Sequence, residues 1–204
     1  MNDNREYRNM ELRIVPTEEG AEPSFFVEGY AATFQPYTLM TRDGVDYKEV
    51  IMPNAFDEAD LTDVVFRVDH QGTVYARSSA GTLTVGFDDH GLFDEADLSK
   101  TAKARELFEE IKAGNYPKQS FAFIVSEDEY DKKSHTRTIK KISKVFDVSP
   151  VSFPANPTTE LDIKTRDYFN GVIEAEKAER LESEKREKAK KMLELKIKLM
   201  ESEK

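Results

Sequence analysis

Cysteine is absent from the 204 residues. That removes disulfides, a thiolate nucleophile and any Cys-ligated zinc or iron–sulfur centre, and it suits a reducing compartment. Long apolar runs are absent too. None approaches the roughly 18 residues that span a bilayer, and no apolar stretch follows Met1–Glu6 to form a signal peptide. The expectation is a soluble, intracellular protein with no membrane partner. The chain also has no G-x-G-x-x-G, no G-x-x-x-x-G-K-[ST] and no H-E-x-x-H pattern. It has only three histidines, 20 and 45 residues apart. Asp88-Asp89-His90 could hold a metal but reads better as a polar hairpin tip, so neither a metal nor an organic cofactor is expected. Basic residues are outnumbered, 30 Lys+Arg against 40 Asp+Glu, for a net charge of −10. Phosphate repulsion then ranks a nucleic-acid partner low.

Hydrophobic residues make up 38% and charged residues 34%, against roughly 45–50% and about 25% in typical globular domains. A core is possible, but part of the chain is too polar to share in it. The division is visible. All eight prolines and all three histidines lie before residue 165. Residues 171–204 contain no proline and no aromatic, with nine acids and ten bases. The expected organisation is a domain over 1–165 and a charged helical tail over 166–204. In the tail, Ala178, Leu181, Lys185, Lys188, Met192, Leu195 and Leu199 follow coiled-coil spacing. Lysines interrupt that seam, so it reads as a solvated helix or as one that meets a partner helix.

The first region reads as about seven short strands separated by turn residues: Met10–Val15, Ser24–Ala31, Val64–Val68, Gly81–Gly86, Gly91–Ala96, Phe121–Val125 and Thr138–Val148. The fourth and fifth pair plausibly across Asp88–Gly91. Such spacing favours a barrel or sandwich. Ala102–Ala113 reads as a helix with Leu107, Phe108 and Ile111 on one side and Gly114-Asn115 as its stop. A shorter helix is expected near Asn54–Leu61. The fold class is α+β, mainly β.

Three residues carry candidate chemistry. His70 follows the apolar run Val64–Val68, where it would be rigidly held yet able to meet solvent. An imidazole there suits a general base, or is simply structural. Ser120 stands where a loop enters the apolar strand Phe121–Val125. It is either a strand-edge hydroxyl or a nucleophile, and the second requires an adjacent base. Asp147 is a carboxylate in the apolar run Val145–Val148. Turned inward it needs a partner, and a histidine would serve, as in a Ser-His-Asp set. The prolines at 150, 154 and 157 are expected to end the sheet and brace an extended loop.

The order of these segments resembles the tailed-phage prohead proteases. Gly29-Tyr30-Ala31-Ala32-Thr33-Phe34 and Glu49-Val50-Ile51-Met52-Pro53-Asn54-Ala55-Phe56 resemble that family's opening, although Asn54 stands where Gly is usual. Val68-Asp69-His70 resembles the histidine segment, with Gln71 where an acid is common. Ser79–Leu83 and Gly91-Leu92-Phe93 resemble the central hairpin, and Gln119–Phe123 the serine motif. Asp147–Ala155 resembles the block in which the family often has Glu in place of Asp147. The likeness covers roughly residues 10–160.

The resemblance implies an assemblin-like β-barrel with flanking helices, as in herpesvirus proteases. It implies a serine endopeptidase with Ser120 as nucleophile, His70 as general base and Asp147 as third member. It places the enzyme in the host cytoplasm, inside the immature capsid. The implied substrates are the scaffold or the scaffold-like segment of the major capsid protein. A homodimer is possible, and the tail would bind scaffold-like helices. Glu49 or His90 stand in reserve for the third role, the loop after Asp147 is a candidate for the oxyanion donors, and Ser149 is expected to tolerate alanine. Two other classes compete: a non-enzymatic assembly scaffold and a generic acidic binding module.

Overall fold

The structure is a computed structural model that describes residues 5–16, 24–152 and 163–202. It divides into two units, 1–164 and 165–204. The first unit is built on one ten-stranded sheet. Its strands are β1 (Glu6–Ile14), β2 (Phe26–Thr33), β3 (Tyr37–Arg42), β4 (Val45–Ile51), β5 (Val65–Arg67), β6 (Val74–Arg77), β7 (Leu83–Phe87), β8 (Gly91–Asp97), β9 (Lys118–Asp131) and β10 (Thr136–Val151). The path runs β3-β4-β10-β9-β1-β2-β8-β7, with β5 on β10 and β6 on β5. The sheet is open, because its end strands β3 and β7 do not pair. The expected closed barrel of about seven strands is therefore corrected to an open sheet of ten. Of the three unforeseen strands, β3 and β6 are short, and in β4 the buried Glu49 stands on the inward face and breaks the apolar–polar alternation that marks a strand. The helix expected near Asn54–Leu61 is only a 3₁₀ turn over Pro53–Phe56.

Other expectations hold. β7 and β8 pair antiparallel across the Asp88–Gly91 turn, and β1 and β2 are antiparallel too. The helix α1 (Ala102–Lys112) begins at Thr101, whose hydroxyl accepts from the Ala104 amide. It buries Ala104, Leu107, Phe108 and Ile111, and Gly114 follows in the left-handed region at φ 86°, a conformation that glycine adopts at no steric cost. Pro150 does not end the sheet. It lies in β10 opposite Gln119, and its carbonyl accepts from the Asp69 amide. Pro154 and Pro157 lie outside the described residues.

β10 organises the sheet. β9 runs along its length. Its other edge is shared by β4, parallel to residues 136–139, and β5, parallel to residues 147–148. The concave side of the sheet holds the core, including Phe56, Phe66, Leu92, Phe121, Phe123 and Ile142. Each such side chain contributes about 1.5–3 kcal/mol by leaving water. Phe121 and Phe123 stack at 4.4 Å on one face of β9.

A charged cluster is buried beside them. The Arg8 guanidinium donates to both Glu49 oxygens at 2.6 and 2.7 Å and to Glu6 at 2.8 Å. Arg137 donates to Glu6 at 2.6 and 2.9 Å, to Glu49 at 3.2 Å and to Asp128 at 2.6 Å. The Tyr37 hydroxyl donates to Glu49 at 2.5 Å. Four strands and the start of β3 thereby meet through groups that could not be buried singly. Burial alone would raise the Glu6 carboxyl, but the hydrogen bond from Arg137 and the charge of Arg8 outweigh it and hold the group at about 2.

The second unit is the helix α2 (Ile163–Ser202). Its early part buries Thr165, Phe169 and Ile173. From Lys177 to Lys198 every side chain is exposed, among them Leu181, Met192, Leu193, Leu195 and Ile197.

Breaking the buried cluster leaves uncompensated charge. Glu49→Ala should lower stability by about 3–5 kcal/mol, read from urea unfolding at pH 7. For Glu6 the native proton affinity lies below the unfolded one, so its contribution is full above about 4.5 and is lost as pH falls towards 2. That loss is about 3 kcal/mol, and acid unfolding in this window should be blunted in Glu6→Gln.

Candidate active site

The pairing of β9 with β10 shifts register four times, and the last shift, between Val145 and Asp147, sets the faces at this end of the two strands. Val145 lies opposite Phe123 and Asp147 opposite Ala122, so Phe146 is an extra residue, a β-bulge. Side chains alternate along a strand, and without the bulge Val145 and Asp147 would share a face. With it, Val145 and Val148 pack on the Phe121–Phe123 side, while Asp147 and Ser149 turn to the side of Ser120 and Ala122. Ser149 is directly opposite Ser120.

His70 arrives from β5. That strand runs parallel to β10 at Asp147 and Val148, and the turn after Arg67 folds over the end of β10. Asp69 and His70 are both left-handed, at φ 47° and 58°. Neither is glycine, and such conformations cost of the order of 1–3 kcal/mol each. The turn is held by named bonds. The Asp69 amide donates to Pro150, and the Gln71 amide to Val68, both at 3.1 Å. The Asp69 carboxylate accepts from the Ser152 amide and hydroxyl, both at 3.0 Å. The Tyr7 ring packs edge-on against the imidazole at 4.4 Å.

The three candidate residues meet. His70 Nε2 lies 2.8 Å from Ser120 Oγ, and His70 Nδ1 lies 2.6 Å from Asp147 Oδ1. With its hydrogen on Nδ1, a neutral imidazole donates to the carboxylate and accepts from the hydroxyl. Ser120 and Asp147 are buried, whereas the His70 side chain keeps 20% of its surface exposed. Asp147 is also bound by Ser149, whose hydroxyl donates to Oδ1 at 2.6 Å. Arg67 approaches Oδ2 at 3.7 Å, as an ion pair rather than a hydrogen bond. The set can do one kind of chemistry well: remove a proton from a serine hydroxyl and return it to a leaving group.

A family model described as caudovirus prohead serine protease matches residues 10–172, which include all three residues. The chain belongs to that family. No curated protein matches, and no solved structure matches. As a prohead serine protease it is a phage capsid-maturation enzyme by family.

The reserve candidates lie elsewhere. Glu49 is committed to Arg8, Arg137 and Tyr37, and His90 packs on Tyr30 at the β7–β8 turn. Asp88 there accepts from Tyr30 and from the amides of His90 and Gly91, as a hairpin tip should. No cluster of metal-ligating residues occurs among the described residues. Of the stretch after Asp147 expected to supply the oxyanion donors, Val148–Val151 lie in β10 rather than in a loop, and residues 153–157 lie outside the described residues.

Ser149, expected to tolerate alanine far better than Ser120, places its hydroxyl on the Asp147 carboxylate. Its spacing of two from Asp147 on a strand was a legible signal. The left-handed turn at Asp69-His70 and the contact with Tyr7 had none, because both depend on segments distant in the chain.

In this prohead protease Asp147→Asn should reduce kcat by about three to four powers of ten with the fold intact. Ser149→Ala should cost about ten- to a hundredfold in kcat, the worth of one hydrogen bond to a charged group, with KM little changed. Steady-state cleavage of a peptide substrate by both purified variants checks this.

Proposed function

We propose that the protein is the endopeptidase that trims the scaffold, or the scaffold-like segment of the major capsid protein, inside the prohead in the host cell. The observation that carries this reading is the His70–Ser120–Asp147 hydrogen-bond chain. A pure scaffold or docking module has no need to bury a serine and a carboxylate on two strands and fold a strained turn over them. In the reaction His70 takes the Ser120 proton as Oγ attacks the scissile carbonyl. Asp147 holds the imidazole in one tautomer and offsets the charge it gains. The proton then passes from His70 to the leaving amine, and water repeats the sequence on the acyl-enzyme. The test is co-expression with the capsid protein. Ser120→Ala should leave capsid protein at full mass where the wild-type chain shortens it. Processing at the wild-type rate by the variant would end the serine-protease reading.

The exposed part of α2 fits a second role in the same chain, that of a tether. Its charges are nearly balanced, and its exposed leucines and methionine offer a narrow seam to a scaffold-like helix. A single solvated helix frays, and frayed backbone can thread into a protease cleft. A chain ending near residue 178, which retains Phe169 and Ile173, should fold and cleave a peptide yet enter proheads poorly. In the wild-type chain, mass spectrometry should show C-terminal trimming that Ser120→Ala lacks.

A further inference from the structure

Two polar residues occupy core positions on the concave face. In β8, Leu92, Asp94 and Ala96 share the buried side, and in β9 Gln119 shares the side of Phe121 and Phe123. Asp94 and Gln119 are almost fully buried. They lie on strands three apart in the order β9-β1-β2-β8, about 14 Å on a flat sheet. The Gln119 amide nevertheless donates to Asp94 Oδ1 at 2.9 Å, so the sheet curls at this point. Gly29 on β2 lies between them, paired with Asp94. A Cβ at Gly29 would overlap the Gln119 amide. The remaining acceptor of each group, Asp94 Oδ2 and Gln119 Oε1, is buried and has no donor. A proton on Asp94 Oδ2 would turn that atom into a donor and satisfy both orphaned acceptors with one bond.

We infer that Asp94 is held as the neutral acid, that its Oδ2–H donates to Gln119 Oε1 to close a two-hydrogen-bond acid–amide ring, and that this ring clamps the strand position next to Ser120. Gln119 and Ser120 are neighbours facing opposite ways, so the ring fixes the backbone from the core side while His70 meets the hydroxyl on the other. The inference rests on the protease reading only for its effect on activity. Burial pushes the Asp94 carboxyl up to about 7, against the lowering effect of the Gln119 bond and with the help of Glu28. Arg13 on β1, Glu28 on β2, Asp88 at the β7–β8 turn and Glu95 on β8 line one cleft with Asp94, and Glu11 on β1 and Lys118 on β9 occupy the register position next to Met10 and Gln119. Arg13 is engaged by Glu28 and Lys118 by Glu11, so neither cation neutralises Asp94. The native state thus holds a proton that the unfolded chain releases above 3.8. Stability falls as pH rises from about 4 through about 7, then levels off.

The test starts in the inactive Ser120→Ala chain, where autolysis plays no part. The ¹³C resonance of the Asp94 carboxyl should report the protonated form at pH 5.5 and titrate near 7. Asp94→Asn keeps both hydrogen bonds without a charge, so its melting temperature relative to the parent should rise steadily between pH 4 and 7 and plateau above. An ionised Asp94 at pH 5.5, or a difference independent of pH, would overturn the ring. In the active chain, cleavage should decline above about pH 7 in the wild type and less so in Asp94→Asn, and the loss in Asp94→Ala should be recovered by asparagine. Equal alkaline loss in wild type and Asp94→Asn would remove the coupling to Ser120. Absence of cleavage under all conditions would instead count against the protease reading, because the titration is measured without it.

Discussion

The extra residue at Phe146 governs the geometry of the site. A strand allows only two directions for a side chain, and one inserted residue exchanges them. Val145 and Val148 both belong to the core, yet three positions separate them. The bulge reconciles this odd spacing with burial of both valines and leaves Asp147 on the face of Ser120. The carboxylate is then buried where an imidazole and a neighbouring hydroxyl bind one oxygen and the Arg67 guanidinium stands within ion-pair distance of the other. An isolated buried charge would be costly, so the bulge, the His70 turn and Ser149 stand or fall together.

The two faces of β9 divide the labour. One carries Ser120 towards His70. The other carries Gln119, Phe121 and Phe123 into the concave core, where the stacked rings, the Arg8 cluster and the Asp94 contact hold the strand. Ser120 is placed by a strand anchored on its reverse side, and that anchoring holds its hydroxyl 2.8 Å from the His70 imidazole. The strained turn at Asp69-His70 is sustained in the same way, by bonds from Pro150 and Ser152 at the end of β10.

Burial of charge is handled twice by different means. The Glu6, Arg8, Glu49 and Arg137 groups are mutually paired, carboxyl to guanidinium, which suits a site where both signs are available. Asp94 has no cation and meets an amide instead, a setting that favours the uncharged acid.

Much of this was legible in the amino-acid sequence. Short strands between turn residues, a capped helix, a charged tail and the order of the His70, Ser120 and Asp147 segments are local patterns, and local patterns survive in a linear string. Composition alone excluded thiol chemistry, since cysteine is absent. Tertiary structure decided the rest. β4 and β6 became strands because β10 and β5 offered them edges, and β3 because β4 then offered its own. The sheet stayed open because its two end strands never meet. Pro150 kept its place in β10, and Ser149 became a partner of Asp147 rather than a bystander. The face of Asp147 depended on a bulge that is defined only by the strand opposite, and the meeting of Gln119 with Asp94 depended on the curl of the sheet. Pairing partners and curvature join residues far apart in the chain, and no periodicity within one segment records them.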